Sequence, residues 1–412
     1  MLLYNLFIFL YSIAVPIAGL FSAKAREWVK GRENLFQELA AQVKEGDKVI
    51  WIHAASAGEL EQGKPVAEAL KKEYPDHKLV ISFFSPSGMQ AGRKYKTADV
   101  LTYLPLDTRG NAKRFVEILK PRLVVFIKYD YWYHHLKAVA DAGVPLLMVS
   151  AIFREKQAFF KWYGGLNRKM LHFFTWFFVQ DEDSVTKLNG LGIKNCSAAG
   201  DTRFDRVAFI SQNPSPIPLV ENFVGSSRCI VAGSTWAEDE EMLQALETST
   251  SFKMIVAPHE VSEQNTERLL KLFGERAMTY SDLEKDQSRG SDKQVLVINN
   301  IGMLSRLYRH ATITYIGGGF NKSGIHNTLE AAAWGKPVLF GPNYGKFREA
   351  RGLIENGAGW SVKTAEELLV VVERLVSDER LLVKSGASAK NYVLKNQGAT
   401  EQVMQEVRKY LV

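Results

Sequence analysis

Short apolar runs alternate with longer amphipathic stretches along the chain. Residues 48–53 (KVIWIH), 78–84 (KLVISFF), 122–127 (RLVVFI), 144–150 (VPLLMVS) and 176–180 (WFFVQ) are apolar almost without a break. Such runs predict strands covered on both faces, as in a parallel sheet between helix layers. Between the first two, residues 59–73 carry helical periodicity. Residues 212–218 (QNPSPIP) hold three prolines and predict an interdomain linker. The alternation then restarts, with strands expected at 228–232, 252–257, 294–298, 313–316 and 337–340 and helices at 366–376 and 398–410. Residues 281–293 are polar and predict a loop. The pattern as a whole predicts an α/β protein of two doubly wound, Rossmann-like halves. Ligands of such folds sit at the carboxyl ends of strands, here expected to face a central cleft. The expected divisions are an anchor helix at 1–22, an N-terminal domain at 23–210, a linker at 211–222 and a C-terminal domain at 223–412. The last helix is a candidate to pack back on the N-terminal domain.

The first 21 residues, MLLYNLFIFLYSIAVPIAGLF, contain no charged side chain. As a helix rising about 1.5 Å per residue they would match the bilayer core, and Pro16 is tolerable there. Ala23-Lys24-Ala25 loosely resembles a signal-peptidase site, but no Lys or Arg precedes the apolar run, so the basic start of a signal peptide is missing. Lys24, Arg26, Lys30 and Arg32 follow it instead, which predicts a single N-terminal membrane anchor with the rest of the chain cytoplasmic. A buried core helix is the plainer alternative.

Charge sharpens this picture. The 412 residues carry a net charge of +7, yet residues 1–210 hold 29 basic and 21 acidic side chains and residues 211–412 hold 23 and 24. The basic excess lies wholly in the first half and suits an anionic partner such as a phosphorylated lipid or membrane surface. Nucleic acid is not expected, because an apolar anchor and a near-neutral second half argue against it. Residues 153–174 add five basic residues and seven aromatics, a mixture suited to a membrane interface, to stacking on nucleic acid, or to a half-buried helix with snorkelling cations; the neighbouring anchor favours the membrane. The two cysteines, Cys196 and Cys229, exclude a disulfide framework and read as reduced thiols; no spacing suggests a metal, and no cofactor is expected.

Three constellations could carry chemistry. The first is His53-Ala54-Ala55-Ser56-Ala57-Gly58-Glu59, where the first strand gives way to a helix. Small residues allow close approach of a substrate, and Glu59 would stand at the strand edge where a general base is needed. Taken alone, a first-turn Glu also simply complements the helix dipole. The second, 317–330 (GGGFNKSGIHNTLE), follows the strand at 313–316. Its glycines and the helix beyond would bring amides to a phosphate, and Glu330 could accept from ribose hydroxyls. It matches neither a Walker A loop nor GxGxxG. The third is a set of turns, Gly233-Ser234-Thr235, Pro258-His259-Glu260 and Gly341-Pro342-Asn343, expected along one sheet edge as a nucleotide site requires.

With these residues in view, the chain resembles the 3-deoxy-D-manno-octulosonic acid (Kdo) transferases of lipopolysaccharide assembly. The likeness rests on Ser56-Ala57-Gly58-Glu59, on 317–330 followed by Gly335-Lys336-Pro337-Val338-Leu339-Phe340-Gly341-Pro342, on Phe347 and Glu349, on Ala232-Gly233-Ser234-Thr235, and on Gly200-Asp201-Thr202-Arg203-Phe204-Asp205. It implies a GT-B fold, with the acceptor, a lipid A precursor, bound by the first half and CMP-Kdo by the second. It further implies inverting transfer at the cytoplasmic face of the inner membrane, with no metal. Glu59 falls on the family's catalytic base. Ser56, Gly58 and Arg203 fall on the acceptor side. Gly233, Ser234, Thr235, Pro258, His259, Gly302, Met303, Gly318, Gly319, Asn321, Gly324, His326, Asn327 and Glu330 fall on the donor side.

The chain departs from the family at four places. The family's E-T-E-x-W-P element aligns with Lys128-Tyr129-Asp130-Tyr131-Trp132-Tyr133, leaving Asp130 as the second candidate carboxylate. Its P-R-H reads Pro258-His259 without the Arg, its G-E-M reads Gly302-Met303-Leu304 without the Glu, and Lys346 replaces an Asn. Two alternatives stay open on the sequence: a GT-B transferase with another nucleotide sugar such as a UDP-sugar, and a membrane-attached binding protein for nucleotide sugar or lipid without catalysis.

Overall fold

The computed structural model describes residues 1–290 and 292–411. The chain divides into two compact units, one of residues 1–206 and 397–412 and one of residues 207–396. In the first unit, β1 Val49–His53, β2 Lys78–Phe83, β3 Val100–Tyr103, β4 Pro121–Ile127, β5 Leu146–Ala151, β6 Trp176–Val179 and β7 Cys196–Ala198 form one sheet. Their order is β3-β2-β1-β4-β5-β6-β7, and every pair is parallel. All five residues of β1 are buried, because helices cover both faces and neither side of the pleat reaches water. Trp51 fills this core against Phe115 and Phe126.

The second unit repeats the plan with β8 Cys229–Thr235, β9 Lys253–Pro258, β10 Ala277–Thr279, β11 Val295–Val297, β12 Ile313–Ile316, β13 Val338–Phe340 and β14 Gly359–Ser361. The order is β10-β11-β9-β8-β12-β13-β14, again parallel throughout. Each sheet reverses its winding once, between β1 and β4 in the first unit and between β8 and β12 in the second. Ligands of doubly wound sheets bind outside the carboxyl ends of the strands at that reversal.

Helices α1 Leu2–Gly19, α2 Ala23–Lys30, α3 Leu35–Gln42 and α4 Ala57–Glu73 open the first unit. The last helix, Ala399–Val407, belongs to this unit too. Asp205 holds it by accepting from Gly398 N, Thr400 N and Thr400 Oγ1 at 2.7 Å each, and Arg408 beyond it pairs with Glu73 of α4 at 2.8 Å.

Three local expectations change. Gly233, Ser234 and Thr235 are not a turn: they continue β8, because Gly233 still pairs with β9 and β12. The polar stretch 281–293 is largely helical. Thr279 caps a helix at Tyr280–Lys285 by accepting from Asp282 N at 3.1 Å, and a 3₁₀ turn follows at Gln287–Gly290, while Ser291 lies outside the described residues. The proline-rich stretch leaves only residues 213–217 between helices, since Pro218 starts the helix Pro218–Val224. Proline suits a first helical position, where its missing N–H is no loss.

Candidate active site

In the first unit the site is built at the carboxyl ends of β1 and β4. Ser56 is the extended N-cap residue of α4, and Glu59 stands in its first turn. Serine three residues before glutamate predicts a reciprocal cap, yet the Ser56 side chain caps no amide. Its hydroxyl donates to Glu59 Oε2 instead. The hydroxyl therefore orients the carboxylate, and Gly58 beside it is exposed.

Asp130 follows β4. Its Oδ2 lies 2.6 Å from His53 Nε2 and accepts from Trp132 Nε1 at 3.1 Å. His53 ends β1, is fully buried, and meets Ser82 Oγ through Nδ1 at 2.8 Å. Ser82 Oγ also accepts from Trp51 Nε1 at 2.7 Å, so its own proton is available to His53 Nδ1. That leaves the His53 proton on Nε2, donating to Asp130. The sequence places His53 at the head of the first constellation but gives it no role; the structure adds its bond to Asp130.

Lys128 and Ser150, at the ends of β4 and β5, have φ of 71° and 58°. Left-handed backbone at side-chain-bearing residues costs on the order of 1 kcal/mol or more and persists where the surroundings enforce it. Lys128, which replaces the family's first Glu, carries its ammonium 5.4 Å from the Tyr129 ring. Tyr129 ties the region together. Burial raises its phenol pKa, Arg154 and Arg203 oppose, and Asp201 and Glu59 add to the rise, so the phenol feels all four charges. Arg203 itself is bound at 2.8 Å to the buried Asp201, which also accepts from Gln62 of α4 at 3.3 Å. That pairing fixes Arg203 against α4.

In the second unit the candidate residues collect at the ends of β9, β8 and β12. Asp239 organises them. Buried to 1% exposure, it accepts from Trp236 N at 2.9 Å, Gly318 N at 2.8 Å and Tyr315 OH at 2.8 Å. The residue thus ties the end of β8 to the glycine loop after β12. Trp236, His259 and His326 form a stacked group, with ring centroids 4.9 Å apart between Trp236 and His259 and 4.2 Å between His259 and His326. Trp236 Nε1 donates to His326 Nε2 at 3.1 Å, which places the neutral imidazole's proton on Nδ1. Neither Trp236 nor Asp239 was singled out from sequence.

The glycine loop differs in part from the expected phosphate cradle. Gly319 and Gly341 must approach so closely that a Cβ on Gly319 would lie 2.4 Å from Gly341 Cα, and Gly318 has φ of +88°. These two glycines serve the loop's own packing. The amides of Gly318, Asn321, Gly324 and His326 each donate within the chain. The helix beyond, Leu329–Ala333, is a single turn and adds little dipole. Asn327 accepts from Leu329 N at 3.1 Å and donates to Glu330 Oε1 at 3.2 Å, so this pair acts as one polar unit. Gly302 and Met303 lie after β11, with Met303 buried, and Pro258 closes β9. Among the described residues no group of three or more His, Cys, Asp or Glu side chains is placed to hold a metal.

Burial, with His259 alongside, pushes the His326 pKa down to about 4 from the usual 6.5. On acidification the unfolded chain then takes up a proton before the folded one does. The stability linked to neutral His326 is complete above about pH 6.5 and is lost as pH falls towards 4. The urea midpoint of the wild type is expected to drop more steeply over that window than that of His326→Gln. Equal slopes for the two proteins would remove His326 as the titrating group.

Residues 30–206 match the sequence model of the family described as 3-deoxy-D-manno-octulosonic-acid transferase (kdotransferase). A Kdo transferase of Aquifex aeolicus is 28% identical over 337 residues, covering 80% of this chain and 86% of that protein. One from Haemophilus influenzae is 24% identical, covering 88% and 87%. Among solved structures, the UDP-GlcNAc 2-epimerase of Neisseria meningitidis superposes with a TM-score of 0.62 at 17% identity, covering 88% of this chain and all of that one. A glycosyltransferase of Rickettsia africae superposes at 0.56 and 16%, covering 89% and 98%. At such identities the structural likeness speaks for the fold alone. Two parallel Rossmann-like sheets, with these relatives, define a glycosyltransferase of GT-B type. The Aquifex and Haemophilus relatives, which it resembles over four fifths or more of its length, are Kdo transferases, and residues 30–206 match that family's domain.

Proposed function

We propose that this protein transfers Kdo from CMP-Kdo to a lipid A precursor, with inversion, at the cytoplasmic face of the inner membrane. The reading is carried by Glu59: an oriented carboxylate at the winding reversal of the first sheet, inside the segment that matches the family. The first unit takes the acceptor and the second the donor, and α1 attaches the protein to the membrane.

In the reaction, the acceptor hydroxyl gives its proton to Glu59 as its oxygen attacks the anomeric carbon. The bond from that carbon to the phosphate oxygen breaks, and CMP leaves with the electron pair. Groups around the glycine loop, including His326 Nδ1–H, stabilise the charge that grows on the phosphate. Asp130, held by His53 and Trp132, sits at the same strand edge as Glu59 and orients acceptor hydroxyls.

One observation favours a second donor class. The family's Arg is missing between Pro258 and His259, and burial biases His259 towards its neutral form. A donor without a carboxylate, such as a UDP-sugar, would not need that guanidinium. Titration calorimetry with CMP and with UDP separates the two. Tighter binding of CMP by tenfold or more is expected, and tighter binding of UDP would reassign the donor. The decisive assay supplies detergent-solubilised protein with the lipid A precursor and CMP-Kdo generated in situ, with products read by mass spectrometry. A mass increase of one or more Kdo residues is expected; a folded protein giving none would overturn the proposal.

A further inference from the structure

The helix α1 is long enough to cross a bilayer, at 18 residues and about 27 Å. Its attachments, however, point elsewhere. One stripe, Tyr4, Ile8, Tyr11, Val15 and Gly19, recurs at helical spacing and faces the first unit, with Ile8 at 2% exposure. At the start of the helix the Tyr4 hydroxyl donates to the buried Asp107 and accepts from Tyr133 N at 3.2 Å, while Asn5 Oδ1 lies 2.8 Å from His134 Nε2. In the middle Tyr11 meets Trp28 and Phe84 at ring distances of 5.7 and 6.3 Å. At the end Arg26 donates to Gly19 O at 2.9 Å. Both ends of α1 are therefore fixed to one unit. In a helix that spanned the membrane, one end would lie about 30 Å from that unit.

The opposite face is apolar and uncovered: Leu2, Leu6, Phe9, Leu10, Ile13 and Ile17 are all exposed. Cations flank it at both ends. Arg26, Lys30 and Arg93 line a cavity of about 650 Å³ beyond its last turn, together with Glu27 and Glu38. Arg109, Lys113 and Lys137 line another of about 680 Å³ that includes Met1 and Asn5, where Glu117 and Asp141 pair with the two lysines. An apolar stripe with a slight cationic excess at each end, on the basic half of the chain, fits an anionic lipid surface, with the stripe about 5–10 Å into the boundary of head groups and chains.

We infer that α1 lies flat in the membrane interface and does not cross the bilayer, so that it seats the carboxyl edge of the first sheet on the lipid surface. The residues that hold it show why this edge is the one seated. Phe84 follows β2, Asp107 follows β3, and Tyr133 and His134 follow β4. Phe84 also stacks on Trp132 at 4.7 Å, and Trp132 donates to Asp130. The docked helix thus runs beside Asp130, at the strand edge that also carries Glu59. An acceptor sugar in the head-group layer would meet them while its acyl chains stay in the membrane. Trp162, at 92% exposure, and Tyr163 precede the helix Gly165–Leu171, whose Lys169 approaches the Tyr133 ring, and they extend the same rim.

The inference rests on the proposed membrane attachment but not on the donor or acceptor chemistry. It is tested in the full chain carrying Cys196→Ser; Cys229 stays, because burial pushes its thiol pKa up to about 12 and keeps it unreactive. Single cysteines at Leu2, Leu6, Leu10, Ile13 and Ile17 are labelled with an environment-sensitive fluorophore. The proteins are bound to vesicles of phosphatidylethanolamine and phosphatidylglycerol, with nitroxide quenchers near the head group or near the chain end. The shallow quencher is expected to win at all five positions, with ratios agreeing within about twofold. A graded profile with Leu10 deepest would overturn the flat orientation and leave attachment standing. Absence of quenching at every position would overturn both.

Discussion

Glu59→Gln, purified and folded, is expected to lose Kdo transfer by about 10²–10⁴-fold while its affinity for CMP stays within about twofold of wild type. The size follows from what a positioned base supplies when a proton must leave in the transition state. The separation from CMP binding follows from the assignment of the donor to the other unit. Glutamine keeps the side chain's shape and still accepts from the Ser56 hydroxyl, so helix α4 should be undisturbed. Ser56→Ala tests the orienting role separately. It should lower kcat by less than Glu59→Gln does, because the carboxylate base remains and only the hydroxyl that orients it is lost. A folded Glu59→Gln protein that transfers at the wild-type rate would move the base to Asp130, whose partners His53 and Trp132 give it an equally fixed position.

Much of this arrangement was legible from the chain alone, for reasons that can be named. A strand buried on both faces must be apolar throughout, so β1, β4, β8, β9 and β12 announce themselves. The short edge strands β3, β7, β10 and β14 do not. Three or four residues, paired on one side, carry too little pattern to stand out from a loop. Gly233–Thr235 looked like a turn because Gly, Ser and Thr are turn formers, yet Gly233 pairs with strands on both sides and Thr235 with β9, and the turn preference survives only as a bulge at Ser234, with φ of 56°. The helix at Tyr280–Lys285 was hidden by its polarity, since its cap and not an apolar stripe defines it.

The sites divide along the same line. Glu59, Asp130 and the glycine loop could be found because their positions follow from where strands end. The role of His53, and Trp236 and Asp239 altogether, could not, because they depend on partners distant in sequence: Asp130 for His53, His326 for Trp236, and Gly318 and Tyr315 for Asp239. The flat docking of α1 was also illegible. Hydropathy reports that a helix can enter lipid, but only the contacts of Tyr4 and Gly19 report its direction.

Asp239→Ala is expected to destabilise the second unit by about 2–4 kcal/mol and to weaken CMP binding at least tenfold. Each buried donor left without an acceptor costs about 1–3 kcal/mol, and this side chain serves three: Trp236 N, Gly318 N and Tyr315 OH. Burial of the carboxylate works the other way. It raises the Asp239 pKa against the hydrogen bonds that lower it, so removing the group relieves a desolvation cost, and the net loss falls below the sum of three orphaned donors. The binding loss has a separate origin. Asp239 is the link between the end of β8 and the loop after β12, the two edges that flank the winding reversal. Without it, Gly318 and the Trp236–His326 contact lose their common support. Asp239→Asn keeps one acceptor oxygen and should fall between wild type and alanine in both measures. Urea unfolding gives the first measure and calorimetry the second, while hydrogen exchange at the Gly318 amide should accelerate in step with both. An alanine variant as stable as wild type, with a protected Gly318 amide, would show that the loop holds its shape through its glycines alone.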